Sequence, residues 1–282
     1  MALLTISNGL LTATISTRGA ELQSLKDSKG CERLWQRDPA YWTGSAPILF
    51  PMAGGLKDDC YTLDGVTYSM PKHGFVRTLE WQVEKAEQTE AVFLMTEKHP
   101  GFPFDYELRA IFSLEENSLS VTYSVTNKGD KTFWYGIGAH EAYATPGGLE
   151  KYTILFDEKE TLANFTLEGN LINPNPVIMA EDTSSLPLKT EYFAVDALVF
   201  RTLKSRGVTL VNSLNSDKIR VEFPEHDVLM FWTKPGAEYI CIEPWVNAPD
   251  LTTADGMIEH KPGCICLQAG ATAQRQHKIT VA

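Results

Sequence analysis

The chain of 282 residues is predicted to form an all-β fold of mostly antiparallel sheets, in one domain spanning residues 1–282. Apolar and polar residues alternate along much of it, as in residues 118–127, where every second side chain is apolar. Gly, Asn, Asp or Pro separates many such segments, and no segment has a helical period of comparable strength. Many short strands without helices favour two packed sheets or a barrel.

The predicted strands are distributed over the whole chain: 10–16, 91–96, 106–112, 118–127, 208–211, 219–223, 228–232, 239–245 and 278–281. Asp64-Gly65 is typical of a hairpin turn. Asp38 is expected to cap a single turn that ends at Trp42. Residues 161–191 are rich in Asn, Pro and Ser, so they are predicted to form an exposed excursion and not a domain boundary.

Composition excludes several classes of protein. The net charge of −11 leaves no basic excess for nucleic acid or for an anionic membrane surface. The N-terminus does not have the pattern of a signal peptide, and no apolar run is long enough to span a membrane. The five cysteines lack metal-site spacing, which favours reduced thiols in a cytoplasmic protein without a metal. Composition does not exclude a neutral small molecule as the binding partner.

The segment from Tyr239 to Trp245 ends a buried-type strand in a carboxylate. Its alternation predicts both faces buried, and Pro244 is expected to weaken sheet pairing beside Glu243. A glutamate in this setting is costly unless it is paired. Two interpretations are therefore open from this segment: a structural ion pair or a working acid or base.

A second candidate is His140, at the end of residues 133–140. Strand alternation places Gly136, Gly138 and His140 on one face. Glycines weaken a strand, so their presence indicates close approach by another group. That group is either a ligand that also contacts His140 or a neighbouring part of the chain, and the segment alone does not separate the two.

Weaker candidates are His73 and Arg77, in a loop that enters a strand, and Asp196, which precedes an apolar strand. Trp245 offers a flat apolar surface of the kind that packs on sugar rings. The sequence contains no nucleophile elbow, phosphate loop, dinucleotide fingerprint or zinc-protease motif.

Taken together and in order, these segments resemble the aldose 1-epimerase, or galactose mutarotase-like, family, closest to the shorter branch typified by the X protein of lactose operons. The resemblance rests on Ala13 to Leu25, Pro47-Ile-Leu-Phe-Pro51, His73-Gly-Phe-Val-Arg77, Gly136-Ile-Gly-Ala-His140, Asp196-Ala-Leu-Val-Phe200 and Glu243-Pro-Trp245. It implies a single β-supersandwich domain with a sugar cleft on one sheet.

The resemblance also implies the roles of the site residues. A histidine like His140 acts as general acid and a glutamate like Glu243 as general base. A histidine like His73 binds near the ring oxygen, and an aspartate like Asp196 binds a sugar hydroxyl. The implied activity interconverts the α and β anomers of a hexose without a metal or cofactor, in a monomer or homodimer.

Two positions depart from the family pattern. Gly55 stands where family members often carry a sugar-binding arginine, and Lys57 is a partial substitute. Glu141 follows the histidine where proline is usual, and it is expected to place a charge beside the acid. Two alternatives therefore remain: a catalytically weak carbohydrate-binding or sensing protein, and a mutarotase for a phosphorylated sugar, whose phosphate Lys57, Lys72 and Arg77 are candidates to bind.

Overall fold

The computed structural model describes residues 1–215 and 217–282 as an antiparallel β protein with short 3₁₀ helices. The strands are β1 Leu3–Ser7, β2 Leu11–Ser16, β3 Leu22–Asp27, β4 Cys60–Leu63, β5 Val66–Ser69, β6 Gln82–Ala86, β7 Glu90–Met95, β8 Tyr106–Glu115, β9 Ser118–Asn127, β10 Phe133–Tyr135, β11 Glu141–Ala144, β12 Tyr152–Asn164, β13 Leu167–Glu168, β14 Leu171–Ile172, β15 Val177–Pro187, β16 Leu198–Phe200, β17 Gly207–Asn212, β18 Lys218–Glu222, β19 Val228–Trp232, β20 Tyr239–Trp245, β21 Ile265–Leu267 and β22 Thr272–Val281. The 3₁₀ helices span Lys57–Asp59, Val76–Thr78, Leu149–Lys151, Thr190–Phe193 and Ile258–His260.

One 13-stranded sheet forms most of the molecule. Its order is β11-β20-β19-β16-β12-β17-β18-β22-β9-β8-β7-β6, with β15 paired to β12. The smaller sheets are β1-β2-β3, β10-β21, β13-β14 and β4-β5. All strand pairs within them are antiparallel, so the all-β prediction is confirmed.

The hairpin of β8 and β9 shows how side-chain alternation determines the register. The two strands pair over their full length, from Tyr106 opposite Asn127 to Glu115 opposite Ser118. Leu108, Ala110 and Phe112 of β8 are buried and alternate with more exposed residues. A slip by one residue would turn this apolar set away from the core, so the pattern specifies the pairing.

Strand β20 lies between β11 and β19 and is buried along its whole length. Ile240 and Ile242 pack into the main hydrophobic core, while Tyr239 and Cys241 belong to a separate apolar cluster on the opposite face. Both faces are covered, as its near-continuous apolar composition indicates. Among the described residues, no helix is long and apolar enough to cross a membrane.

Residues 161–191 are more regular than expected. They contain the end of β12 and the 11-residue strand β15, which pairs with β12 across several register shifts. Most of β15 is exposed or half-buried, so the prediction of a peripheral excursion holds. Strand β15 was not predicted because its side chains have no alternating apolar pattern. Backbone pairing with β12 holds it in place.

A buried polar pair crosses the core of the main sheet. Glu141 of β11 and His277 of β22 are both buried, with Oε1 and Nε2 2.9 Å apart. The two strands are far apart in the sheet order, so the sheet must curl until they face each other. His226, also fully buried, lies beside His277 with ring centroids 6.3 Å apart, and burial lowers the pKa of His226 to about 3.

The Glu141–His277 pair predicts a large stability effect. Removing one partner leaves the other buried without a hydrogen-bond partner, so Glu141→Ala should lower the free energy of unfolding by at least about 2 kcal/mol. Glu141→Leu combined with His277→Leu should recover part of that loss. Urea unfolding of the single and double variants measures the coupling.

The matched control is Lys98→Ala, which removes an exposed ion pair to Asp105. It should change the unfolding free energy by no more than about 0.5 kcal/mol. Equal effects of Lys98→Ala and Glu141→Ala would show that the buried pair does not stabilise the sheet closure.

Candidate functional site

A cavity of about 430 Å³ brings together most of the predicted site residues. Its walls come from β19, β20 and the residue preceding β11, together with loop residues from 42–47, 72–77, 193–197 and 233–235. His73, Arg77, His140, Asp196, Glu243 and Trp245 all line it. Six positions separated along the chain thus converge on one surface.

His140 and Glu243 are neighbours because the β11–β20 pairing continues to them. Glu141 pairs with Ile242, and Gly138 bridges Trp245, so His140 lies opposite Glu243 in the same register. His140 Nε2 and Glu243 Oε2 are 3.4 Å apart. Both residues are buried, and Oε1 of Glu243 and Nδ1 of His140 have no hydrogen-bond partner among the described residues.

Burial determines the protonation of this pair. It raises the pKa of Glu243 well above the ordinary 4.5, and the nearby Lys72 charge partly offsets that rise. Burial, together with the charges of Arg77 and Lys72, lowers the pKa of His140 to about 3. Without a ligand the pair therefore favours a protonated carboxyl beside a neutral imidazole, a state that holds one transferable proton.

His73 is held rigidly at the cavity wall. The ring Nδ1 accepts a hydrogen bond from the Gly54 N–H at 3.1 Å, and the backbone N–H of His73 donates to the Gly54 carbonyl at 3.0 Å. The neutral ring therefore carries its proton on Nε2, which becomes a donor. Its φ of 69° lies in the left-handed region, which side chains other than glycine rarely adopt. Burial lowers its pKa well below 6.5.

Three polar residues complete the wall. Asp196 is half-buried in the loop before β16, and its Oδ1 accepts the Ala197 N–H at 2.8 Å. Arg77 lies in a 3₁₀ helix and donates to the Lys72 carbonyl at 3.3 Å. Lys72 lines the same cavity. These groups offer donors and acceptors to several hydroxyls of one ligand.

Aromatic residues form the apolar part of the site. The Trp42 ring lies 5.2 Å from His140 and 5.3 Å from Trp232, measured between centroids. The turn that carries Trp42 is closed by its N–H donating to the Asp38 carbonyl at 3.0 Å, as the sequence predicted. Trp232 and Lys234 were not identified as site residues. The position of Trp232 at the end of an apolar strand is a weak signal, and nothing in the local sequence indicates that Lys234 reaches the cavity.

The two glycines before His140 accommodate protein and not a ligand. A Cβ at Gly138 would meet Cδ1 of Trp245 at 2.3 Å, and one at Gly136 would meet Oδ1 of Asn247 at 1.8 Å. Of the two interpretations of this segment, close packing of the chain therefore holds. Trp245 is locked there by its Nε1–H, which donates to the Ala139 carbonyl at 2.9 Å.

The expectations that Lys57 partly replaces the family arginine and that Glu141 places a charge beside His140 need correction. Lys57 does not line the cavity, because its ammonium donates to the Ala254 carbonyl at 2.9 Å, in a segment lining a separate cavity of about 230 Å³. Glu141 does not lie beside His140 in the cavity, since successive strand residues point to opposite faces and Glu141 enters the core.

Gly55 lacks the open space that a substituent or an arginine would need. A Cβ at this position would meet the Asn170 Cβ and the Asn170 carbonyl oxygen, each at 2.7 Å. The neighbouring Gly54 is similarly covered by Pro249 at 2.6 Å. The two glycines therefore leave no free space for a substituent of a ligand or for a side chain.

Cys241 approaches the pair closely enough to raise the question of a metal. Donor atoms of His140, Cys241 and Glu243 lie within 4.8 Å of one another. A metal ion would bind the thiolate and the carboxylate. Burial raises the pKa of both Cys241 and Glu243 well above their ordinary values. In the absence of an ion, burial therefore favours the protonated forms of both side chains.

The cavity combines a buried carboxyl–imidazole pair with aromatic side chains. Comparison with known protein families gives a match over nearly the whole chain. The model of the aldose 1-epimerase family matches residues 2–280. The chain belongs to the aldose 1-epimerase family. Its similarity extends to Protein LacX (chromosomal) of Lactococcus lactis subsp. lactis, which is 32% identical over an alignment of 293 positions that covers 98% of this chain and 98% of the relative.

Solved structures in this family share the fold closely. A galactose mutarotase related enzyme from Lactobacillus acidophilus superposes with a TM-score of 0.94 at 31% identity, covering 100% of this chain and 97% of that one. A galactose mutarotase-like protein from Lactobacillus casei ATCC 334 gives 0.93 at 28% identity, with 100% of both chains covered. These matches confirm the predicted mutarotase-like β-supersandwich.

The covered position of Gly55 gives a test by substitution. Gly55→Ala should lower the free energy of unfolding by about 1–3 kcal/mol, because backbone atoms of residue 170 cannot move aside cheaply. Gly55→Arg should be at least as destabilising and should not strengthen sugar binding. Urea unfolding and calorimetric titration with galactose and glucose measure both effects.

Gly129→Ala is the control, since a Cβ there meets nothing closer than 3.5 Å. A stable Gly55→Arg protein with tighter hexose binding than wild type would contradict the steric account.

Proposed function

We propose that this family member is an aldose 1-epimerase that interconverts the α and β anomers of a hexose. The observation that carries the proposal is the buried His140–Glu243 pair, 3.4 Å apart within one cavity. Anomer exchange needs a proton removed from the anomeric hydroxyl and a proton delivered to the ring oxygen. A carboxyl and an imidazole that together hold one transferable proton can perform both transfers.

We assign His140 and Glu243 the roles that the family resemblance implies, general acid and general base. In the free enzyme, burial keeps the proton on Glu243. An anomeric hydroxyl that donates a hydrogen bond to Glu243 favours the carboxylate, so the carboxyl proton passes to His140, and the resulting imidazolium donates a hydrogen bond to the ring oxygen. Glu243 then removes the anomeric proton and His140 protonates the ring oxygen. The ring opens to an aldehyde, and rotation about one carbon–carbon bond before closure produces the other anomer.

Binding is assigned to the surrounding wall. Trp42 and Trp232, which are partly exposed, are assigned to the apolar faces of the sugar ring, and Trp245, which is 1% exposed, lines the cavity wall. His73 donates from Nε2 near the ring oxygen, and Asp196 accepts from a hydroxyl. Hydrogen bonds to such groups orient the sugar between the acid and the base.

Replacement of the pair tests the mechanism. Glu243→Gln keeps the size and polarity of the side chain but cannot accept the anomeric proton, so mutarotation should nearly disappear. His140→Asn should lower kcat by at least ~10²-fold, the lower range for loss of a general acid or base. Polarimetry with fresh α-galactose and α-glucose measures both variants against the uncatalysed rate.

The controls separate chemistry from binding and from folding. Thermal unfolding should show that both variants remain folded, and activity of the wild-type enzyme should survive a chelator. Wild-type turnover in Glu243→Gln would remove Glu243 from the mechanism. Sugar binding without turnover in the wild-type protein would instead identify a carbohydrate-binding or sensing protein.

The proposal also predicts the direction of the pH dependence. Because burial keeps the transferable proton on Glu243, the one-proton state of the pair is lost from the free enzyme as the pH rises through the raised pKa of Glu243. The value of kcat/KM should therefore decrease toward alkaline pH, with a midpoint well above 4.5, and should hold toward acid pH, because the pKa of His140 is about 3. Rates between pH 5 and 9, corrected for the uncatalysed reaction at each pH, measure this. A kcat/KM that falls steadily as the pH is lowered toward 5 would contradict it.

A further inference from the structure

The sugar cavity contains an unusual group of positive charges. Lys72, Arg77 and Lys234 all line it. None of the three has a carboxylate within 4.0 Å among the residues that the structure describes. Elsewhere in the protein, Arg33, Arg109 and Arg220 are each paired with acidic side chains. The cavity therefore holds cations without protein counterions.

This local charge runs against the charge of the whole chain. The protein has 36 acidic and 25 basic side chains, a net charge of −11. The cavity wall has three cations against two carboxyl groups, Asp196 and Glu243. Burial favours the neutral form of Glu243, which leaves Asp196 as the main negative charge. A positive cavity in an acidic protein attracts anions and repels cations.

The three cations come from two separate segments. Lys72 and Arg77 flank His73 at the entrance to the 3₁₀ helix Val76–Thr78, while Lys234 follows β19 in the turn that leads to β20. Their side chains meet only because both segments reach the same cavity. A guanidinium and two ammonium groups around one space are the usual partners of a phosphate or carboxylate.

We propose that the aldose carries an anionic substituent, a phosphate monoester or a carboxylate, held by Lys72, Arg77 and Lys234. This inference rests on the proposed mutarotase function. Carbon 6 of a hexose is bonded to carbon 5, which adjoins the ring oxygen, so an anionic group at carbon 6 lies on the ring-oxygen side of the site, where Lys72 and Arg77 flank His73. A hexose 6-phosphate and a hexuronate are the two sources of this chemistry.

A bound anion also affects proton transfer by the His140–Glu243 pair. The charges of Lys72 and Arg77 lower the pKa of both His140 and His73. An anion bound between them offsets that repulsion and makes proton transfer through His140 easier. Neutral hexoses leave the cations in place, so they should be poorer substrates through kcat as well as through KM.

The test compares matched sugars on the wild-type enzyme. Anomer exchange is followed by magnetisation-transfer NMR for glucose, glucose 6-phosphate and glucuronate, and for the corresponding galactose series, each corrected for its uncatalysed rate. We expect kcat/KM for one anionic class to exceed that of its neutral parent by at least ~10-fold, as expected for one charged hydrogen bond. Whether the phosphates or the uronates show it identifies the anion.

Substitutions then locate the recognition. Arg77→Gln, Lys72→Gln and Lys234→Gln should each reduce the anionic-to-neutral ratio of kcat/KM several-fold, and Arg77→Lys should retain part of it. Lys159→Gln is the charge-matched control, because Lys159 is exposed in a surface pair with Asp182. It should leave the ratio unchanged, which separates local recognition from net charge.

Two results distinguish a failure of this inference from a failure of the proposed mutarotase function. Equal kcat/KM for anionic and neutral sugars would overturn the inference and leave the mutarotase proposal standing. If no sugar is converted above background, the mutarotase proposal fails, and calorimetric titration with the same sugars decides the inference alone. Tighter binding of the anionic sugar, lost in Arg77→Gln, would support it, and equal binding would overturn it.

Discussion

The central constraint in this protein is the burial of a carboxyl group next to an imidazole. Glu243 is 1% exposed within β20 and His140 is 8% exposed just before β11. The pairing of β20 with β19 continues through Pro244 to Trp245, so the expectation that the proline weakens pairing beside Glu243 is wrong. A buried ionised group is costly without a partner, so this pair is stable mainly as neutral groups that share one proton. The same condition makes it responsive to a ligand, since each hydrogen bond from a hydroxyl changes which member holds the proton.

The surrounding structure holds this pair in place. Gly138 lets Trp245 pack against the strand that leads to His140, and the indole N–H donates to the backbone beside that histidine. On the other face, Glu141 joins His277 across the core. Consecutive residues of one chain segment thus serve two purposes, His140 toward the cavity and Glu141 toward the closure of the sheet. Strand alternation separates the two functions without any loop between them.

The cavity also differs in charge from the rest of the molecule. Unpaired cations at its wall lower the pKa of His140, so the groups that we propose for substrate recognition also act on proton transfer. At Gly55, packing of Asn170 against the glycine excludes a side chain.

The sequence by itself determined the all-β class and the bounds of strands such as β9 and β19. Six of the seven residues predicted for the site line one cavity, while their roles stay predictions. These features follow from local alternation and from motifs that lie within a few residues of each other. Lys57 was the exception. Whether its ammonium reached the cavity or the Ala254 carbonyl depended on a loop almost two hundred residues away.

Only the tertiary structure decided what approaches each residue. The glycines at 136 and 138 signalled a close neighbour, but the neighbours are Asn247 and Trp245, about a hundred residues further along the chain. The partner of Glu141 and the site role of Lys234 were equally invisible, because they depend on how the sheet curls and on which loops then meet. Periodicity specifies which face a side chain takes, whereas the group it meets is determined by long-range packing of the whole sheet.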